Sequence, residues 1–221
     1  MPAKTSTSLV VKIIKLSLLL IPAILAYFPI KNSEEFRYFF APKVVYEVKG
    51  YQNDDNGPED MEILTSRISR LGPGLFSSAD FMQDDGKAFI VLTRGAANPN
   101  LVEFVSQHPG NFVMRGETPE DIWYTNQDIA ESKAVSPRGD DIAVSITVTD
   151  EAYAKSGKKI NDNVGGFGYV TLDGTIISKA HLQIKLGKSI MLTGYNNSDA
   201  KGLVAILSGD VMSRAYTLVR M

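Results

Sequence analysis

Residues 161–175 read NDNVGGFGYVTLDGT, with Gly165, Gly166 and Gly168 crowded into four positions just ahead of an apolar run. Glycines so placed either grip a phosphate or turn the chain. In phosphate-gripping motifs they follow a strand and open a helix, whose N-terminal N–H groups face the anion. Here the order is reversed. Residues 149–162 carry a weak helical pattern with Gly157 inside it, and 167–172 have the apolar character of a strand. The glycines therefore stop a helix and bend the chain into a sheet, which the lack of a Cβ permits. Asp173-Gly174 next reads as a two-residue hairpin turn between strands at 167–172 and 175–186. The Gly187-Lys188-Ser189 triplet does not restore a nucleotide loop, because the position five residues before Gly187 is Leu182.

Working outward, the second half holds an alternating strand at 142–149, a short strand at 189–193, and a helix at 198–209. Ser198 is expected to cap that helix, with Leu203, Val204, Ile206 and Leu207 on its apolar face. A last strand is read at 215–221. The Asn196-Asn197-Ser198 triplet matches a glycosylation pattern by letter and a helix cap by context. Trp123 and Tyr124 read as a core or interface anchor.

The first half is more regular. A strand at 44–50 leads through the acidic loop 53–60 to a helix with Pro58 at its start and Glu59 and Asp60 in its first turn. Met61, Leu64, Ile68 and Leu71 line one face, and Gly72-Pro73 ends it. Strands at 75–82 and 87–93 flank Asp84-Asp85-Gly86. Asn98 caps a second helix that His108-Pro109-Gly110 stops, before a strand at 111–115. The order strand–helix–strand–strand–helix–strand predicts a ferredoxin-like half, with both helices on one face of an antiparallel sheet.

Residues 9–30 (LVVKIIKLSLLLIPAILAYFPI) are apolar except for Lys12, Lys15 and Ser17. At helical rise they span roughly 33 Å, about the depth of a bilayer's hydrocarbon core. Lysines at the N-terminal end place that end in the cytoplasm and the remainder outside. The anchor would present Leu16, Leu19, Pro22, Ala23, Ala26 and Tyr27 to lipid, interface or partner helices, with Pro22 kinking it. A cleaved signal peptide shares this design, but Tyr27-Phe28-Pro29 makes a poor cleavage exit.

Several kinds of chemistry find no support. There is no cysteine, so no disulfide, thiolate metal site or thiol nucleophile is expected. Only His108 and His181 are present, too few for a multi-histidine metal centre, and neither accompanies a nucleophile elbow. The 53–60 loop lacks the order of acids of a calcium loop. Asp84-Asp85 and Asp140-Asp141 fall in predicted turns, where solvated carboxylates are ordinary. A formal net charge of -2 gives no basic excess for nucleic acid. No enzyme activity, cofactor or metal is expected.

The order of motifs resembles the SecD family, the membrane component that assists Sec protein export. Residues 62–72 (EILTSRISRLG) resemble its I-x-x-R-[IV]-x-x-L-G helix. Residues 88–95 (AFIVLTRG) resemble the strand that follows, and 111–117 its L-x-F-R strand. Residues 162–165 and 170–178 (VTLDGTIIS) resemble the N-[IV]-G…L-D-G-x-[VI]-x-S run. Residues 190–194, Asp199-Ala200 and 203–209 (LVAILSG) resemble the helix region after it. Together these cover roughly residues 44–209.

The resemblance implies an α+β fold: a cytoplasmic tip and transmembrane anchor at 1–32 and a ferredoxin-like base at 33–117. An α+β head at 118–212 and a strand at 213–221 returning to the base would follow. It implies a non-catalytic, membrane-anchored periplasmic domain of a bacterial inner membrane, accessory to Sec-dependent export. Its partners would be Sec or SecDF components and unfolded preproteins; the alternative is a structural subunit of another inner-membrane complex. The head hairpin would carry the contacts, through Gly165, Gly166, Phe167, Asp173 and Gly174. The sequence departs from the family at Gly166, where the family has Lys, at Lys179-Ala180, and at Asp210-Val211-Met212. An LDLxGG signature is missing from 33–43. The family's later helices with proton-conducting carboxylates are not in this sequence, so the expectation is a domain that does not itself use a proton gradient.

Overall fold

A computed structural model describes residues 44–71, 78–93, 98–138 and 141–221. The expected span at 9–30, the Gly72-Pro73 stop and Asp140 lie outside them. Among the described residues no helix is long and apolar enough to cross a membrane.

Strand β1 (Val44–Lys49) buries Val44, Tyr46 and Val48 on one face, as a period of two requires. Helix α1 (Gly57–Leu71) starts where Asp54 accepts the Gly57 N–H at 2.9 Å, and it buries Met61, Leu64 and Ile68. Strands β2 (Ser78–Asp84) and β3 (Lys87–Thr93) are joined by Asp85 and Gly86, both with positive φ, the geometry of a tight two-residue turn. Helix α2 (Pro99–Gln107) is capped by Asn98, whose side chain accepts the Asn100 N–H at 3.0 Å.

The strand at Phe112–Arg115 (β4) does not close the first sheet, as the sequence led us to expect. The order there is β11-β1-β3-β2, and the place beside β1 belongs to β11 (Thr217–Arg220), in register Tyr46↔Arg220. Strand β4 pairs instead with β8 (Phe167–Leu172), from Phe112↔Leu172 to Arg115↔Tyr169. A four-residue strand with two buried positions, Phe112 and Met114, has the same pattern in either sheet. What settles its place is the tie between residues 108–111 and the hairpin turn described below.

The second sheet runs β5-β4-β8-β9, with β5 at Ile122–Thr125 and β9 at Thr175–His181. The third runs β10-β7-β6, with β6 at Ile129–Arg138, β7 at Asp141–Val148 and β10 at Ser189–Tyr195. Between β7 and β8 lies α3 (Asp150–Asp162), capped by Thr149. Helix α4 (Asn197–Leu207) packs on β6 and β7 and against α1 and α2. Its cap is Asn196, which accepts the Asp199 N–H at 2.9 Å, and not the expected Ser198. Strand β9 (Thr175–His181) is shorter than expected, because residues 183–188 leave the ladder. The helices and sheets share one apolar core, in which Leu64, Val102, Phe112, Ile146 and Ile206 are all buried.

Candidate functional site: the open face of the hairpin sheet

The glycine stretch turns the chain. Gly165 has φ +99° and donates its N–H to Leu182 O at 2.8 Å, and Leu182 returns a bond to Gly166 O at 2.9 Å. The hairpin ladder therefore continues past the ends of β8 and β9. A Cβ on Gly168 would sit 3.0 Å from Cζ3 of Trp123, whose ring is buried. Gly168 is thus the floor of the Trp123 slot.

Register puts a second set of side chains on the opposite, open face. Phe167 faces His181 and Tyr169 faces Lys179 across β8 and β9, while Arg115 faces Tyr169 across β4 and β8. Ile122 lies opposite Arg115 and Ile176 opposite Thr171, beyond an irregularity in the β8–β9 pairing. Ile122, Phe167 and Ile176 are 48%, 38% and 52% exposed. The Lys179 ammonium lies 4.4 Å from the Phe167 ring centre and 5.2 Å from that of Tyr169; the Arg115 guanidinium is 5.0 Å from Tyr169. Such cation–ring contacts hold both charges over the sheet. Among the described residues neither cation has a carboxylate partner; Arg115 donates only to the carbonyls of Gly116 and Glu117.

The structure does not bring the five expected hairpin residues into one patch. Phe167 lies on the open face at one end of β8, with Gly165 and Gly166 beside it. Asp173 and Gly174 form the turn at the other end, roughly 20 Å away for an extended strand. There Asp173, at φ +51°, accepts the N–H groups of Gly110 and Asn111 at 2.8 and 2.7 Å, and its other oxygen lies 3.0 Å from His108 Nδ1. This carboxylate pins the α2–β4 crossing and thereby commits β4 to the second sheet.

Arg67 of α1 secures the same crossing from the opposite side. It is fully buried and donates to the carbonyls of His108, Pro109 and Asp210 at 2.7, 2.8 and 2.5 Å. Burial pushes its guanidinium down to about 10, which leaves it charged at neutral pH. The R-[IV]-x-x-L-G pattern of 62–72 puts its arginine at 67 and not at the exposed Arg70, but nothing in it told that this arginine would be buried.

A polar cleft of about 590 Å³ lies between α1, β6 and the end of α4. Glu59, Glu62, Glu131 and Asp210 line it with Arg70, Ser132 and Ser208. Sequence reasoning missed it because 126–138 carried no assigned element. Its acids face water beside α1, and no histidine lines it.

Comparison with protein-family models and with curated proteins finds no match for the sequence. The fold does have likenesses. A crystal structure of SecDF in its super-membrane-facing form aligns at TM-score 0.58 and 17% identity, covering 80% of this chain and 29% of that one. A structure of SecDF described as a membrane component that enhances protein export aligns at TM-score 0.53 and 17% identity, covering 81% of this chain and 98% of that one. The chain spans under a third of the first SecDF chain and nearly all of the second. The fold is that of a SecD-like periplasmic domain.

Proposed function

We propose that the protein is a membrane-anchored accessory of Sec-dependent export. In this reading its SecD-like domain stands on the periplasmic side of a bacterial inner membrane and holds emerging preproteins without catalysis. The base is a ferredoxin-like layer whose fourth strand is β11, and the head is the part built on the other two sheets. The observation that carries the reading is the open face of the second sheet. On a fold like that of SecDF, it exposes Ile122, Phe167 and Ile176 beside two cations, where extended chains can bury apolar side chains.

A photo-crosslinking residue at position 176 of the full chain, expressed in cells during export, tests this. Recovery of many different secreted preproteins from position 176, and few from the equally exposed Met82 of the first sheet, is the expected result. A single stoichiometric membrane partner would replace it with the role of a structural subunit in another complex.

A further inference from the structure

We propose that β9 is a docking edge: an extended polypeptide with a carboxylate near its centre adds beside Thr175–His181 as a fifth strand, its acid meeting Lys179. This rests on the export reading and narrows it to a class of client segment.

The first support is the edge itself. Strand β9 is outermost in β5-β4-β8-β9, and six of the positions from 175 to 181 other than Lys179 carry no formal charge. No proline interrupts it. An edge of this kind offers a row of backbone donors and acceptors to another chain. A lysine on an edge ordinarily protects it by standing out into water. Lys179 does otherwise: its ammonium is folded back over the rings of Phe167 and Tyr169, and among the described residues no strand other than β8 pairs with β9.

The second support is charge. Lys179 and Arg115 lie in one row across β9, β8 and β4, both without carboxylate partners among the described residues. Side chains on an added strand would stand about 5 Å from those of β9 on the same face, close enough for an opposite charge to pair. The residue beside Lys179 would be Asp or Glu. Its neighbours two positions away would lie by His181 and towards Ile176, where aromatic or branched side chains fit. A nucleic acid is a poorer occupant: two cations fall short of the roughly six to ten phosphate contacts such binding uses, and phosphodiesters cannot pair with a strand edge.

The test uses the full chain in detergent micelles and a fluorescein-labelled, end-blocked heptapeptide of alternating Thr and Val with Glu at its centre. A companion peptide has Lys there. Anisotropy titration is expected to favour the Glu peptide about tenfold. Lys179→Gln should erase that preference and Lys179→Glu reverse it, with unchanged melting of the protein. Amide exchange should slow along β9 on binding and stay unchanged along β5. Equal affinity for the two peptides, or a preference that survives both substitutions, overturns the proposal. The two readings fail separately. Preproteins crosslinked at 176 without any peptide preference sink the docking edge alone; a Glu peptide seated on β9 without preprotein capture sinks the export role alone.

Discussion

Tyr216 donates its hydroxyl to Asp60 Oδ2 across 2.6 Å in the interior, joining residues 156 positions apart. The other oxygen of Asp60 accepts the Ser213 N–H at 2.6 Å, and the Ser213 hydroxyl adds a third bond. The returning chain is therefore fastened to the first turn of α1 before it reaches β11. Two turns further on, Arg67 fastens the outgoing crossing at His108 and Pro109 and the returning one at Asp210. Both crossings are also bound to each other, since Met212 donates its N–H to Pro109 O at 3.0 Å. The joint between the first sheet and the other two is built from buried charges whose partners are mostly backbone, and α1 supplies those charges.

Arg67→Met should therefore cost more than an ordinary core substitution. It would leave the part-buried carbonyls of His108 and Asp210 without their donor, Pro109 keeping the Met212 N–H, while roughly conserving volume. The expected loss is about 3–5 kcal/mol, read as a fall of roughly 10 °C in the thermal midpoint. Arg67→Lys keeps the charge but lacks the planar fork, and should lose about half as much. A change under about 1 kcal/mol for Arg67→Met would show that the crossings hold without it.

Tyr216 supplies a pH dependence with a definite sign. Burial, then the hydrogen bond to Asp60, raise its phenol above the ordinary value near 10. The folded state thus keeps a proton that the unfolded state releases. The contribution is complete below pH 10 and declines as pH rises above it. Tyr124 and Tyr195 are shifted the same way, chiefly by burial, and add to the decline. Urea unfolding between pH 8 and 11 should show stability falling above pH 10, with a shallower fall in Tyr216→Phe. Identical slopes would mean that the phenol is ionised equally in both states.

Local chemistry was the readable part of this sequence. The Asn98-Pro99 helix start, the Asp85-Gly86 and Asp173-Gly174 turns and the Met61, Leu64, Ile68 stripe are each fixed by side chains within a few residues. Membership of a sheet was not readable. Strand β4 pairs with β8 because Asp173 holds residues 110 and 111, a relation across more than sixty positions. Strand β6 escaped because IAESKAVSPR is an edge strand with few buried positions and a proline, so its alternation is faint. Of the candidate site, Phe167 was visible as an apolar residue beside glycines. The cations were not, because their meaning comes from register: only the pairing of 169 with 179 and of 115 with 169 stacks them on one face.

The glycines at 165 and 168 should fail on substitution for different reasons. Gly165→Ala puts a side chain at φ +99° with open space around it, so the cost is backbone strain of about 1–2 kcal/mol. Gly168→Val intrudes on Trp123 and should cost about 2–3 kcal/mol through overpacking. Trp123 fluorescence separates the two, since it is the only tryptophan: its emission should shift for Gly168→Val and remain unchanged for Gly165→Ala. A shift of equal size in both would mean that the slot depends on the turn as a whole.

The two ends of β8 should separate cleanly into stability and binding. Asp173→Ala removes the acceptor for two backbone N–H groups and places alanine at φ +51°, for an expected loss of about 2–4 kcal/mol. Asp173→Asn tolerates that conformation and keeps one oxygen, so about 1 kcal/mol should suffice. At the other end, Phe167→Ala gives up ring contacts with Lys179 and His181 on an open face and should cost under about 1 kcal/mol. Crosslinking of preproteins from position 176 should behave oppositely, falling severalfold in Phe167→Ala and staying at the level of the parent in Asp173→Asn. Should Asp173→Asn abolish capture while the protein still melts near the parent's midpoint, the joint, and not the open face, would be the part that meets the client.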